Sequence, residues 1–193
     1  MLLAPRLAAP VPDARGAAAR RVPCSSAPPV GDDRLVETLT IGDRRFLIRR
    51  ALEADVPALA ALLADDPLGR GRESADELGP YLAAFREVDA DPRQLLVTVV
   101  EGQATVVGTV QLSLIPGLSR GGASRLQIEA LRLAESVRDL GLGSMLLEWA
   151  HAYGREQGAV LSQLTCDRRR DAAHRFYERA GYVASHTGFK RGL

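Results

Sequence analysis

From Arg45 onward, short β-branched or apolar runs alternate with amphipathic helical stretches, and that alternation predicts an α/β fold. A second observation agrees. An apolar strand-like run ends in Val137-Arg138-Asp139-Leu140-Gly141-Leu142-Gly143-Ser144 and a strongly amphipathic stretch follows, so the chain passes from strand to helix through a glycine turn. Length supplies the third: 193 residues suit one domain with an appendage and are ample to bury a core.

Phe46-Leu47-Ile48 reads as a short first strand. Asp55 then caps a helix that has Pro57 in its first turn and Val56, Leu59, Ala60 and Leu63 on one face. A Gly/Arg-rich link over 68–73 leads to a second helix around 74–88. The runs 95–100 and 106–115 are β-branched and are divided by Glu101-Gly102-Gln103, a hairpin signal. Residues 117–122 turn the chain into the strand 126–133. The helix after the glycine turn carries Leu142, Met145, Leu146, Trp149 and Tyr153 at helical spacing, which is core packing. Residues 160–165 read as a buried strand, 170–180 as a helix closed by Gly181, and 182 to the end as one or two terminal strands.

The strand before the turn carries an irregularity. Leu126, Ile128 and Ala130 keep one parity while Leu131 and Leu133 keep the other, so the alternation slips by one at Ala130-Leu131. Either a β-bulge or two buried faces near a sheet centre produces this slip.

Ahead of the domain, residues 1–30 hold six of the eleven prolines and eight alanines with no apolar period. Residues 1–43 are therefore expected to form a disordered extension, and a chain begun near Gly42 to keep its thermal stability. Arg6, Arg15, Arg20 and Arg21 in an acid-poor background suggest a transit peptide, but Pro5, Pro10 and Pro12 interrupt any amphipathic helix there. The formal charge of +1 argues against nucleic acid or an anionic membrane as partner. No apolar run is long enough to span a bilayer. Cys24 and Cys166 stand apart from any metal-ligand cluster, which suggests no metal and a reducing, cytoplasmic setting. A single lysine, Lys190, and no asparagine point to a G+C-rich, bacterial genome.

The glycine turn suits an anion. Its glycines let the backbone approach a ligand, and the free N–H groups and positive dipole of the following helix favour negative charge. A Walker A loop is excluded because Ser144-Met145 follows where Lys-Ser/Thr is needed. A dinucleotide fingerprint fails at its third glycine, which is Leu146. Arg138, Gly141 and Gly143 in this turn, followed by Phe176-Tyr177-Glu178-Arg179-Ala180-Gly181-Tyr182, resemble the GCN5-related N-acetyltransferase (GNAT) superfamily. The resemblance covers about residues 45–193, and the order of elements is similar as well.

The resemblance implies a GNAT acyl-CoA N-acyltransferase fold: a central mixed, mainly antiparallel sheet splayed at the coenzyme site and flanked by about four helices. It implies acetyl-CoA as cosubstrate, gripped at its pyrophosphate by Arg138, Asp139, Gly141, Leu142, Gly143 and Ser144, with Arg170 nearby. It favours the bulge, whose unpaired groups on Leu131 and Leu133 would meet the pantetheine, with the opposing wall on 160–165. It implies direct acetyl transfer to an amine by a monomer or homodimer.

Two proton steps follow from that chemistry. An alkylamine of pKa ~10 must lose a proton, and a departing thiolate of pKa ~8.5 must gain one. Glu129 is the candidate base, or else a solvated carboxylate. Tyr177 is similar to the family's proton-donating tyrosine, or else is a core aromatic.

Some residues depart from the family pattern. Asp139 puts a negative charge near the expected pyrophosphate, with Arg138 to offset it, and Arg170 stands where asparagine is common. Arg168-Arg169-Arg170 at a helix start opposes the macrodipole, which makes phosphates a plausible partner. His151 and His174 are expected to be exposed helix positions. The acceptor pocket is expected around 68–73 and 117–125, where Arg70, Arg72 and Arg120 either pair with an acceptor carboxylate or are solvated. Two competing readings remain: a non-catalytic acyl-CoA-binding module on the same fold, and a NAD-binding oxidoreductase.

Overall fold

The computed structural model describes residues 37–65, 73–74, 76–102 and 104–192. These build one six-stranded sheet in chain order: β1 (Glu37–Ile41), β2 (Arg44–Arg50), β3 (Gln94–Glu101), β4 (Thr105–Ile115), β5 (Ser124–Leu133) and β6 (Ala159–Leu164). Neighbours pair antiparallel except β5 and β6, which are parallel. Parallel neighbours need a crossover, and the helix α3 (Leu142–Glu156) supplies it. Helices α1 (Val56–Ala64), α2 (Gly79–Ala90) and α4 (Asp171–Arg179) complete the domain. The fold is α/β with a mixed, mainly antiparallel sheet, as expected.

Alternation on each strand assigns the two faces. Leu95, Val97 and Val99 of β3, Val110 and Leu112 of β4, and Leu126 and Ile128 of β5 join Leu142, Leu146, Leu147 and Ala150 of α3 in the main core. The opposite parity faces α1 and α2, where Leu96 and Val106 pack on a smaller cluster of Ala51, Val56, Leu59 and Phe85. Partly buried Met145, Trp149 and Tyr153 line the edge of the main core, as their helical spacing predicts.

Three expectations need correction. The sheet begins at Glu37, ahead of the boundary expected at residue 44, because Leu39 and Ile41 alternate with Thr38 and Thr40 and the Gly42-Asp43 turn folds this strand onto β2. So short an alternation beside a Pro/Ala stretch gives little periodic signal. The rest of the expected extension, with Cys24, lies outside the described residues, as do 66–72 with Arg70 and Arg72.

The expected terminal strands do not form within 182–192. A tight Ser185 N–H bond to the Val183 carbonyl bends the backbone out of the extended state, and Val183 and Phe189 stay exposed.

Asp55 sits at the N-cap of α1 but does not cap it. Its buried carboxylate instead accepts two bonds from Arg49 at 2.6 and 2.8 Å, one from the Leu52 amide at 2.8 Å and one from Thr98 Oγ1 at 3.2 Å. This ties the start of α1 to β2 and β3. Burial alone would push the Asp55 carboxyl up, but the Arg49 hydrogen bonds and the Leu52 amide outweigh it, and the group lies below its ordinary value.

Two stability predictions follow. Asp55→Asn leaves the part-buried Arg49 without its counter-charge and weakens the carboxylate's hydrogen bonds, and should cost about 2 kcal/mol at pH 7. Because the folded pKa is depressed, this contribution is full above the unfolded value and is lost as pH falls through the folded one. Urea unfolding should therefore show the deficit of Asp55→Asn shrinking below about pH 4. A chain begun at Gly42 loses β1 and the buried Leu39. Burial of one leucine contributes about 2 kcal/mol, so calorimetry should find this chain melting roughly 5 °C below the full one.

Candidate active site

The site is organised by β5. Glu129 pairs with Gln111 and Arg132 with Thr109, so Ala130 and Leu131 together oppose Val110. Ala130 has a left-handed φ of 50°. The slip in alternation is therefore a β-bulge, and Leu131 and Leu133 return to the main core after it. On its other edge β5 pairs with β6 only from Ser124 to Ile128, the last rung being Ile128 with Leu164. Residues 129–133 of β5 are left without a β6 partner, and the two strands part at the bulge.

The glycine turn follows directly. A 3-10 turn over Glu135–Val137 leads to Asp139 at φ 61° and Gly141 at φ 83°, and α3 begins at Leu142. The amides of Ser144 and Met145 both bond the Gly141 carbonyl, whereas those of Leu142 and Gly143 take no backbone acceptor among the described residues. Such orphan donors at a helix start favour an anion.

The two glycines differ in role. Gly141 adopts a left-handed conformation that strains other residues. A Cβ on Gly143 would instead meet Leu133 Cδ1 at 3.4 Å and the Phe176 ring at 3.7 Å, so this glycine brings α3 close to β5 and α4. Beside the turn, a cavity of about 190 Å³ is lined by Ser144, Glu148, Phe176, Arg179 and Ala180.

Arginines already use the carbonyls at the parting of the strands. Arg132 Nη1 donates to the Leu131 carbonyl at 2.8 Å, and Arg138 Nε donates to the Leu133 carbonyl at 3.3 Å. Arg138 also approaches Asp65 at 3.9 Å, so it links the end of β5 to the end of α1.

Tyr177 comes from α4 and packs its ring edge-on to Phe176 at 5.1 Å and Tyr182 at 5.8 Å. Burial, chiefly, and then Cys166 push its hydroxyl up to about 12, against opposing contributions from Arg132 and Arg170. It therefore keeps its proton throughout the neutral range. Glu129 is exposed and accepts from Gln127 Nε2 at 3.0 Å. Tyr177 packs with the main core, whereas Glu129 keeps the parity of the opposite face.

The α4 start is less charged than three successive arginines suggest. Arg169 is held by Asp167 through its amide, Nε and Nη2 at 2.9, 3.0 and 2.9 Å. Those bonds hold the Asp167 carboxyl far below the usual carboxylate range. Arg170 stands at the N-cap of α4 and acts electrostatically on both Cys166 and Tyr177.

One histidine expectation is corrected. His151 is not a free surface position: its Nε2 bonds Tyr182 Oη at 2.8 Å, Tyr182 Oη bonds Ser162 Oγ at 2.6 Å, and Glu148 lies 3.5 Å from Nδ1. This cluster fixes the end of α4 against α3 and β6. His174 bonds the Asp167 carbonyl at 3.0 Å.

Sequence reasoning also missed Arg132, Cys166, Gln127 and Gln163. For the glutamine Gln127 a signal existed, since it shares parity with Glu129. The others depend on cross-strand neighbours. Among the described residues no cluster of His, Cys, Asp or Glu could hold a metal, and no helix is long and apolar enough to cross a membrane.

A model of the acetyltransferase (GNAT) family matches residues 56–182, a span that contains the bulge, the glycine turn and Tyr177. The chain belongs to the GNAT family. By that membership the NAD-binding oxidoreductase reading is set aside.

Three relatives bear on this GNAT protein. An aminoalkylphosphonate N-acetyltransferase of Salmonella typhimurium is 40% identical over 67 residues, which cover 35% of this chain and 44% of that relative. The match thus spans less than half the length of the curated relative. A crystal structure of a transcriptional regulator from Bacillus halodurans C-125 is 38% identical, covers 77% of this chain and 99% of its own, and superposes with a TM-score of 0.73. A structure from Agrobacterium tumefaciens str. C58 is 25% identical over 76% of this chain and 99% of its own, with a TM-score of 0.66.

Proposed function

We propose that this GNAT protein moves an acetyl group from acetyl-CoA directly to the primary amine of a small molecule. The observation that carries this reading is the parting of β5 and β6 at the bulge, between an orphan-amide helix start and a protonated tyrosine. The coenzyme would lay its pyrophosphate against the amides of Leu142 and Gly143, with the Gly141 turn allowing close approach, and run its pantetheine along residues 131–133 of β5. Arg132 and Arg138 satisfy the Leu131 and Leu133 carbonyls there, so pantetheine amides would replace or supplement those donors. Arg170 adds positive charge on the α4 side.

The proton steps divide between two residues. Glu129 faces the side away from the main core and takes the ammonium proton, directly or through water. The acceptor nitrogen then attacks the thioester carbonyl, and the collapsing intermediate expels the thiolate. Tyr177, protonated across the neutral range, donates to that sulfur, and the second nitrogen proton, shed as the amide forms, returns to the tyrosinate through water. Transfer is direct and requires no metal. An acceptor bearing an anionic group is supported by the aminoalkylphosphonate named for the Salmonella relative, so 2-aminoethylphosphonate heads the acceptor panel. Amino acids, polyamines and peptide amines complete it, and thiol release is the assay.

Three outcomes test the reading. Tyr177→Phe should remain folded and lose about 10²-fold in turnover. Glu129→Gln should lose about 10²-fold near pH 6, where the acceptor is ammonium, with the deficit closing as pH rises toward the amine's pKa of ~10. A loss independent of pH would make Glu129 a positioning group. Unchanged turnover in Tyr177→Phe would return Tyr177 to the core. Gly141→Val should abolish the thermal stabilisation produced by acetyl-CoA while the protein stays folded, since it strains the turn without entering the core.

A further inference from the structure

We propose that Gln127 and Gln163 are positioning residues, which together hold the Glu129 carboxylate in the orientation needed to receive the acceptor proton. The proposal rests on the reading of Glu129 as base and extends it to two glutamines that act on the reaction through the Glu129 carboxylate. Gln163 Nε2 of β6 donates to Gln127 Oε1 at 2.6 Å, and Gln127 Nε2 donates to Glu129 Oε1 at 3.0 Å. The chain crosses from β5 to β6 at the rung Gln127 with Gln163, next to the last paired rung before the strands part.

Its direction is set by chemistry. An ionised carboxylate only accepts, so Gln127 must turn its nitrogen toward Glu129 and its oxygen toward Gln163, whose nitrogen then donates. That polarity ends the chain on the Glu129 carboxylate as its acceptor.

The surroundings leave Gln127 as the side-chain donor to Glu129 among the described residues. Gln111 is the cross-strand neighbour of Glu129 on β4, but its Nε2 points to Gln94 Oε1 at 3.2 Å, and Ser113 donates to that same oxygen at 2.6 Å. Gln127 is only 8% exposed, so its amide cannot be rescued by bulk water if a partner is lost. Glu129 is exposed, and it lies beside the left-handed Ala130. An exposed carboxylate on a flexible side chain samples many rotamers. A buried amide bonded to one of its oxygens restricts that sampling and leaves the second oxygen for the acceptor.

A double-mutant cycle separates positioning from simple packing. With the strongest acceptor of the panel, Gln127→Leu should lower kcat by about 10-fold near pH 6 and leave the KM for acetyl-CoA unchanged, with the deficit closing at high pH as it does for Glu129→Gln. Gln163→Leu should show the same pattern more weakly. Adding either change to Glu129→Gln should cost nothing further.

Each alternative result has a definite reading. If Glu129→Gln is impaired at low pH but Gln127→Leu either matches the parent or adds its full loss to Glu129→Gln, the positioning role is overturned and the base survives. If Glu129→Gln is itself unimpaired, or no amine of the panel releases thiol, both fall. Gln163→Leu keeps the test decisive should Gln127→Leu fail to fold, because Gln163 is less buried and its loss frees the far end of the chain.

Discussion

One extra residue in β5 governs the rest of the domain. Had the alternation run unbroken past Glu129, Leu131 and Leu133 would share its polar face and be denied the main core. The bulge at Ala130-Leu131 returns both leucines to the main core, where each is partly buried. The apolar surface they cover offsets the roughly 1–2 kcal/mol that a left-handed alanine costs. The same irregularity coincides with the end of pairing to β6. A packing requirement and the end of pairing to β6 thus meet in one short stretch of β5.

That distortion also separates two environments. The face under α3 and α4 is apolar, and Tyr177 there is buried enough to hold its proton far above neutrality. The other face carries hydrogen-bonded polar side chains: Gln94 with Gln111 and Ser113, and Gln163 with Gln127 and Glu129. In the proposed reaction the acid therefore stands on the dry side and the base on the polar side of the same opening. Desolvation suits a group that must stay neutral until a thiolate forms, and it would oppose one that must stay ionised.

The scaffold holds these groups by tying elements together rather than by covering them. Arg49, Asp55 and Thr98 anchor α1 to two strands, and His151, Tyr182 and Ser162 anchor the end of α4 to α3 and β6. The α4 end is capped by two backbone bonds, Gly181 to Glu178 and Tyr182 to Tyr177, so the residue that accepts the cap is the candidate acid itself. Movement of Tyr182 would therefore be felt at Tyr177 through both the ring contact and the backbone.

By itself the sequence determined what depends on neighbours along the chain. The hairpin at Glu101-Gly102, the slip at Ala130-Leu131, the glycine turn with its amphipathic helix and the Gly181 stop are local patterns, each set by side-chain period or by a glycine's backbone freedom. The tertiary structure alone decided what depends on neighbours across it. Whether β1 joins the sheet rests on pairing with β2, and the tail stays unpaired through a bond between Ser185 and Val183 that no periodicity encodes. Asp55 looked like a cap because a cap is the local use of an aspartate before a helix, yet an arginine on the adjoining strand offered its carboxylate a stronger partner. His151 looked solvated because its partner lies far along the chain, and Gln163 looked featureless because its meaning comes from Gln127 on the neighbouring strand. Local patterning specifies elements, while hydrogen-bond partners for buried polar groups are chosen only once the elements have packed.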